Sequence, residues 1–249
     1  MARERIDILL ARRALAPSRE KARVLVMAGE VYVDGERVLK ADRKVDETAC
    51  LEVRGDPIPY VSFGGVKLKA ALDAFRLSVH GRTALDIGSS TGGFTDCLLK
   101  EGARKVYAVD SGTHQFHEKL RGDERIVLRE NFNARYLTEA DVGERVDIIT
   151  IDVSFISLKK ILPAAAGVLG KEGHIVSLVK PQFEVGRYNV GKGGIVKDSG
   201  RIEFVLADIR QFGGTLGLDA IETVEAPREK EKKNREYFIL WEKSGTPGR

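Results

Sequence analysis

Ala84-Leu85-Asp86-Ile87-Gly88-Ser89-Ser90-Thr91-Gly92-Gly93-Phe94-Thr95 reads as a short buried strand, a glycine-rich turn and the opening of a helix that runs to about Glu101. Outward from it the same alternation repeats. Lys105–Val109 is an apolar strand closed by Asp110, and Arg125–Leu128 and Val146–Ile151 follow. A helix over Leu158–Leu169 leads to a strand over His174–Val179, and a helix over Arg201–Phe212 leads to strands at Ala220–Val224 and Tyr237–Trp241. Upstream, Lys67–Phe75 is amphipathic and helical. Short apolar strands alternating with helices specify a mostly parallel sheet covered on both faces. The expected fold is α/β, a doubly wound, Rossmann-like sheet.

In such sheets ligands lie at the C-terminal strand ends beside the switch point, where the glycine-rich turn falls. Gly88, Gly92 and Gly93 let the backbone turn sharply and approach a ligand closely. Asp110, one strand on, is placed to accept hydrogen bonds from ribose hydroxyls. Ser90 stands where a dinucleotide fingerprint needs its second glycine, and the Gly-Lys-Ser/Thr of a P-loop is absent. Asp86 would repel phosphate but suits the cationic methionyl end of S-adenosylmethionine. The turn residues Asp86, Gly88, Ser89, Ser90, Thr91, Gly92, Gly93 and Phe94, with Asp110, are therefore the candidate cofactor site. A glycine-rich turn without a ligand is the competing reading, and the pairing with Asp110 weighs against it.

The first fifty residues have a different grain. Ile6, Leu9 and Leu10 fall at helical spacing, Pro17 closes that segment, and Ser18 can cap a second helix that Gly29 stops. Val31–Val33 and Arg37–Leu39 flank Asp34-Gly35, a hairpin signal, and Leu51–Val53 is one more strand. The expected organisation is a small α+β domain over 1–54, a linker over 55–60, a large domain over 61–243 and a tail over 244–249. The stretch S-R-E-K-A-R-V-L-V-M-A-G-E-V-Y-V-D-G (18–35) resembles the S-four-type RNA-binding domain. That resemblance implies that the helical face lies on structured RNA, with Arg5, Arg12, Arg13, Ser18, Arg19, Lys21 and Arg23 as candidate contacts to phosphate.

Composition bounds the rest. The 249 residues are 43% hydrophobic and 31% charged with a formal net charge of +4, which is ordinary for a soluble protein. The basic excess is local: seven basic residues against three acids in 1–25, and a second run at 228–233. No stretch has the length of apolar sequence that suggests a membrane span, and no apolar signal core follows Met1. Cys50 and Cys97 are the only cysteines and do not pair at metal-ligand spacing. A cytoplasmic protein without a metal or a membrane is expected.

Asp152-Val153-Ser154-Phe155 ends the fourth strand and Lys180-Pro181-Gln182-Phe183 the fifth, while Lys67 begins the helix before the first. Charges at the ends of apolar strands serve function better than folding. Methyl transfer to a sugar hydroxyl needs alignment and a general base. A lysine can be that base when partial burial and a neighbouring cation lower its pKa from about 10.4. The Asn/Asp-Pro-Pro-Tyr/Phe element of amino-directed DNA methyltransferases is absent, and neither cysteine is placed to be the nucleophile of pyrimidine C5 methylation.

Y-V-S-F-G-G-V-K-L (60–68), D-I-G-S-S-T-G-G-F-T (86–95), V-Y-A-V-D (106–110), D-V-S-F-I-S (152–157) and V-K-P-Q-F-E (179–184) together resemble the TlyA (hemolysin-like) family of ribosomal RNA 2′-O-methyltransferases. The family's catalytic domain is similar to FtsJ-type enzymes. The resemblance implies a Lys–Asp–Lys–Glu tetrad at Lys67, Asp152, Lys180 and Glu236, with Lys180 as base, and Asn133 near the adenine. It implies ribosomal RNA or an assembled subunit as partner and cytidine 2′-hydroxyls as target. Phe63 stands where the family usually has arginine, leaving Lys69 as a possible substitute. The usually glycine-rich segment before the last strand is K-E-K-K-N-R-E (230–236), so Glu236 can also be read as an exposed charge at a strand start. Gly186–Gly194, with Arg187, Lys192 and Lys197 in or beside it, reads as a substrate loop or as a plain connection. The competing functions are a non-catalytic RNA-binding protein on a vestigial fold and a membrane-active hemolysin.

Overall fold

The computed structural model describes residues 3–54, 59–186, 190–228 and 233–244. Arg187, most of the expected linker, the middle of the 228–233 basic run and residues 245–249 lie outside the described residues. Contacts divide the chain into two units, Met1–Pro57 and Ile58–Arg249.

In the first unit β1 (Arg3–Arg5) leads into α1 (Ile6–Arg12), and α2 (Arg19–Ala28) packs on it. The Ser18 side chain accepts from the Lys21 N–H, and Gly29 ends α2 at φ 76°, a left-handed conformation that glycine adopts without strain. β2 (Val31–Val33) pairs antiparallel with β3 (Glu36–Val38) across Asp34-Gly35 and with β5 (Leu51–Val53). β1 and β4 (Lys44–Asp46) form a second small sheet that the sequence did not announce. Each is three residues of mostly charged side chains, with no apolar alternation to betray it. Ile6, Leu9, Leu10, Ala22, Val26 and Val31 are fully buried between the helices and strands.

The second unit opens with α3 (Phe63–Ala74), followed by β6 (Thr83–Ile87), α4 (Gly93–Lys100), β7 (Lys105–Val109), α5 (Glu118–Arg121), β8 (Ile126–Arg129), α6 (Glu139–Val142) and β9 (Val146–Ile151). Then come α7 (Leu162–Val168), β10 (Leu169–Val179), α8 (Pro181–Glu184), α9 (Ser199–Thr215), β11 (Leu218–Glu225) and β12 (Tyr237–Lys243). The seven strands lie in the order β11-β12-β10-β9-β6-β7-β8. Six of these strands run in one direction and β12 runs against them. Alternation along the strands feeds a core on each face: Leu85, Ile149 and Trp241 on one, Ala84, Ile148 and Leu240 on the other. The chain leaves β6 for β7 on one side and returns to β9 on the other, which puts the switch point between β6 and β9.

Two boundaries moved. The expected helix at 158–169 is a 3-10 turn at Leu158–Lys160 followed by α7, because Pro163 fits a helix start but not an interior. α3 begins at Phe63, so Lys67 lies in its second turn rather than at its start.

Candidate active site

Gly88 follows β6 at φ 85°, and a Cβ there would overlap the Asp152 carbonyl oxygen, with the carbonyl carbon 2.9 Å away. Only glycine lets the β6 turn sit against the end of β9, and the Asp152 N–H donates to the Ile87 carbonyl across the same seam (2.9 Å). Ser90 takes φ 46° and its N–H donates to Asp110 Oδ2 (2.8 Å), while the Gly112 N–H donates to Oδ1 (2.7 Å). Asp110 is thereby fixed with lone pairs to spare. Above this seam lies a cleft of about 400 Å³, lined among others by Gly88, Ser90, Asp110, Gln115, Asn133 and Phe155. Asn133 Oδ1 accepts from the Arg135 N–H, so the side chain caps the turn beside the cleft.

A second cavity of about 200 Å³ adjoins the first at Gly88, Ser90 and Asp152. Ser62, Lys67, Ser89, Thr91, Gly93 and Lys233 are among its walls. Ser89 is 4% exposed and its hydroxyl has no hydrogen-bond partner among the described residues. Ser62 precedes α3 without capping it. Two uncommitted hydroxyls, one at the start of α3 and one in the turn before α4, suit a carboxylate better than an apolar group.

Two ion pairs complete the rim. Lys180 Nζ lies 2.5 Å from Asp152 Oδ1 and donates to Ser154 Oγ (2.9 Å). Lys67 Nζ lies 2.5 Å from Glu236 Oε2, with both side chains mostly buried. The segments after β9 and β10 are zipped further along. Phe155 and Phe183 sit with ring centroids 5.0 Å apart, and Glu184 accepts from the Leu158 N–H and the Ser157 hydroxyl, each at 2.7 Å. Gln115 gave no signal in the sequence, since isolated polar residues after a strand are common, and Glu184 lay within a quoted motif without a role assigned to it. Phe155 was within a quoted motif, but an apolar residue there reads as core. It is instead 90% exposed at φ 63°.

Several expected positions fall elsewhere. Asp86 is not on the cleft wall: it is fully buried under it, accepting from Thr95 Oγ1 (2.7 Å) and Thr150 Oγ1 (3.1 Å). The even residues of β6 face α4, which turns Asp86 inward with Ala84. Phe94 is 3% exposed, and although it edges the second cavity its ring packs toward Phe238 in the core. Gly92 is the left-handed N-cap of α4, under Leu120 and Phe116. In the first unit Arg13 is committed to the carbonyls of Ala49 and Glu47, and Arg12 to Glu4 and Glu47. Ser18 is the cap of α2, whereas Arg23 is exposed.

Burial pushes the Asp86 carboxyl up to about 7, against the pull of Thr95 and Thr150. A carboxyl with a raised folded-state pKa stabilises the fold below its unfolded value near 3.8 and loses that contribution as pH rises to about 7. Thermal melts of wild type and Asp86→Asn between pH 4 and 8 should show this. The wild type declines relative to the variant by up to about 4 kcal/mol. Parallel melting curves across that range would contradict it.

The FtsJ-like methyltransferase family model matches residues 60–243, and the S4 domain model matches 4–49. The 16S/23S rRNA (cytidine-2′-O)-methyltransferase TlyA of Mycobacterium tuberculosis is 45% identical over 98% of this chain and 91% of its own. Hemolysin A of Brachyspira hyodysenteriae is 40% identical over 94% of this chain and 98% of its own. A solved hemolysin-named structure from Streptococcus thermophilus superposes with a TM-score of 0.77 at 43% identity, over 99% of this chain and 90% of that one. Fold, cleft and relatives define an enzyme, a methyltransferase with S-adenosylmethionine as its cofactor. The chain belongs to the FtsJ-like methyltransferase family and carries an S4 domain before the catalytic unit. Among the described residues no helix is long and apolar enough to cross a membrane, and no group of side chains has a metal-binding arrangement.

Proposed function

We propose that this enzyme methylates a ribose 2′-hydroxyl of ribosomal RNA, at cytidine, with Lys180 as the general base. The observation that carries the reading is Lys180 held between Asp152 and Ser154 at adjoining strand ends, beside the cleft above Gly88. Asp110, Asn133 and Gln115 would hold the nucleoside part of S-adenosylmethionine in the larger cavity, and Ser62 and Ser89 its carboxylate in the smaller. The cleft supports that fit, since the glycine at 88 leaves its floor open and the Ser89 hydroxyl is uncommitted. When bound, the cofactor supplies an electrophilic methyl group on a sulfonium.

Lys180 in its amine form takes the proton of the 2′-hydroxyl as the oxygen attacks, and becomes an ammonium. The ion pair with Asp152 and the contact to Ser154 would hold that ammonium in place. The proton then leaves to solvent, because Lys180 is 12% exposed. Lys67, paired with Glu236, adds positive charge beside the developing alkoxide character of the oxygen. Incubating the enzyme with labelled cofactor and with naked 16S and 23S RNA or assembled subunits tests the reading, with the product located by nucleoside mass mapping. Label on a base, or on protein alone, would refute it.

Phe155 supplies the surface for the target nucleotide in this reading. An aromatic ring 90% exposed on a left-handed backbone is a costly feature to keep unless something stacks on it. Base–aromatic stacking contributes about 1–3 kcal/mol. Phe155→Ala should raise the KM for RNA about tenfold or more, a larger change than in cofactor affinity, although the ring also lines the larger cavity; steady-state kinetics at saturating cofactor give the answer.

A further inference from the structure

The helical half of the S4 unit carries the basic excess: residues 3–25 hold seven basic and three acidic side chains, residues 26–54 five basic and seven acidic. One of the three acids is not a bystander. Asp7 is fully buried in the first turn of α1. Its Oδ1 accepts from Arg5 Nε (3.0 Å) and the Ile8 N–H (3.1 Å), and its Oδ2 from Arg5 Nη2 (3.1 Å) and Arg19 Nε (3.0 Å). Arg5 thus presents a two-pronged pair to the carboxylate, and Arg19 reaches the same group from the start of α2. Both guanidinium side chains remain open to solvent, at 37% and 55% exposure. Burial pushes the Asp7 carboxyl up, but the bonds and charges of Arg5 and Arg19 outweigh it and hold it below the usual carboxylate range.

We propose that Arg5 and Arg19 form a pre-assembled phosphate-binding pair in which buried Asp7 is the positioning residue. Two free guanidiniums side by side would repel each other and lose side-chain entropy on meeting a phosphate. Asp7 meets both costs in the folded protein and occupies only some of the N–H donors, since each guanidinium has five. The outward edges are left for the bidentate contact that arginine makes with phosphate oxygens. Arg12 and Arg13 serve otherwise, on Glu4 and Glu47 and on backbone carbonyls, whereas this pair is a fixed cationic feature of the helical face.

The inference rests on RNA being the ligand of the S4 unit, and it has an unusual sign. Removing an acid from a basic face should tighten binding to a polyanion if charge alone matters. Asp7→Asn should instead weaken it. The test is filter binding of 16S and 23S RNA to the full-length protein at one fixed salt concentration. Asp7→Asn is expected to bind about tenfold more weakly. Glu36→Gln makes the same charge change at a side chain 78% exposed, and should bind as wild type or tighter. The double variant Arg5→Lys/Arg19→Lys keeps the charge and the buried acid but removes the planar donors, and should also weaken binding about tenfold. It serves equally if Asp7→Asn does not fold. Wild-type or tighter binding by Asp7→Asn, or by the double lysine variant, overturns the pair while leaving RNA as the ligand. Failure of the wild type to bind either RNA overturns both.

Discussion

Lys180→Ala should lose methyl transfer to ribosomal RNA by about 10²–10⁴-fold in kcat, the range that a general base contributes, with cofactor affinity within a few-fold of wild type. The expected split follows from geometry. Lys180 touches Asp152 and Ser154 but is not among the residues lining the larger cavity, where the nucleoside part of the cofactor would lie. Removing it also strands Asp152, whose Oδ1 is buried and has no other hydrogen-bond partner among the described residues. An unpaired carboxylate in that position costs stability, so the variant should melt a few degrees lower as well. Single-turnover transfer from labelled S-adenosylmethionine, with calorimetric titration of the same cofactor, separates the two effects. Undiminished transfer would remove Lys180 from the chemistry, and parallel loss of cofactor binding would move its role to the cofactor.

Gly88→Ala should abolish activity by another route. The new methyl overlaps the Asp152 carbonyl, and φ 85° is a conformation that costs an alanine about 1–2 kcal/mol even in open space. Overpacking against fixed backbone adds about 1–3 kcal/mol. Relief requires the β6 turn to part from the end of β9, which carries Asp152 away from Lys180 and narrows the cleft at its floor. Loss of measurable cofactor binding and a melting temperature lowered by several degrees are expected together. Gly143→Ala, with a comparable φ of 81° but open space around its Cβ, is the control: it should lose stability without losing cofactor. Equal behaviour of the two variants would show that the close approach of Gly88 to Asp152 is not needed.

Much of this was legible because strand ends are. Each β-strand of the large unit announced itself by apolar runs, and the residue that breaks each run is where the rim must be. Asp110, Asp152 and Lys180 were readable on that ground alone. Two kinds of residue escaped. Side chains such as Asp86 change meaning with a one-residue change of facing, and nothing in a strand of five buried residues says which way an acid points. Arg12 and Arg13 look like free cations in the sequence, but their partners at 47 and 49 come from a loop whose return could not be seen. The three-residue strands β1 and β4, which bring that loop back, are too short and too polar to show a period. Glu184 and Ser62 escaped for a related reason, since their roles depend on contacts between segments far apart in the chain.

β12 runs against all its neighbours in the sheet, so its beginning, not its end, shares the rim with the ends of β9 and β10. That is how Glu236, just before β12, comes to meet Lys67 near the start of the catalytic unit (|i−j| = 169). An enzyme assembled in this order stays unfinished until its last strand has been made. Until residues 236–243 have emerged, β11 has no strand to join and Lys67 no counter-charge, so a nascent chain should carry a cleft without a working set of side chains.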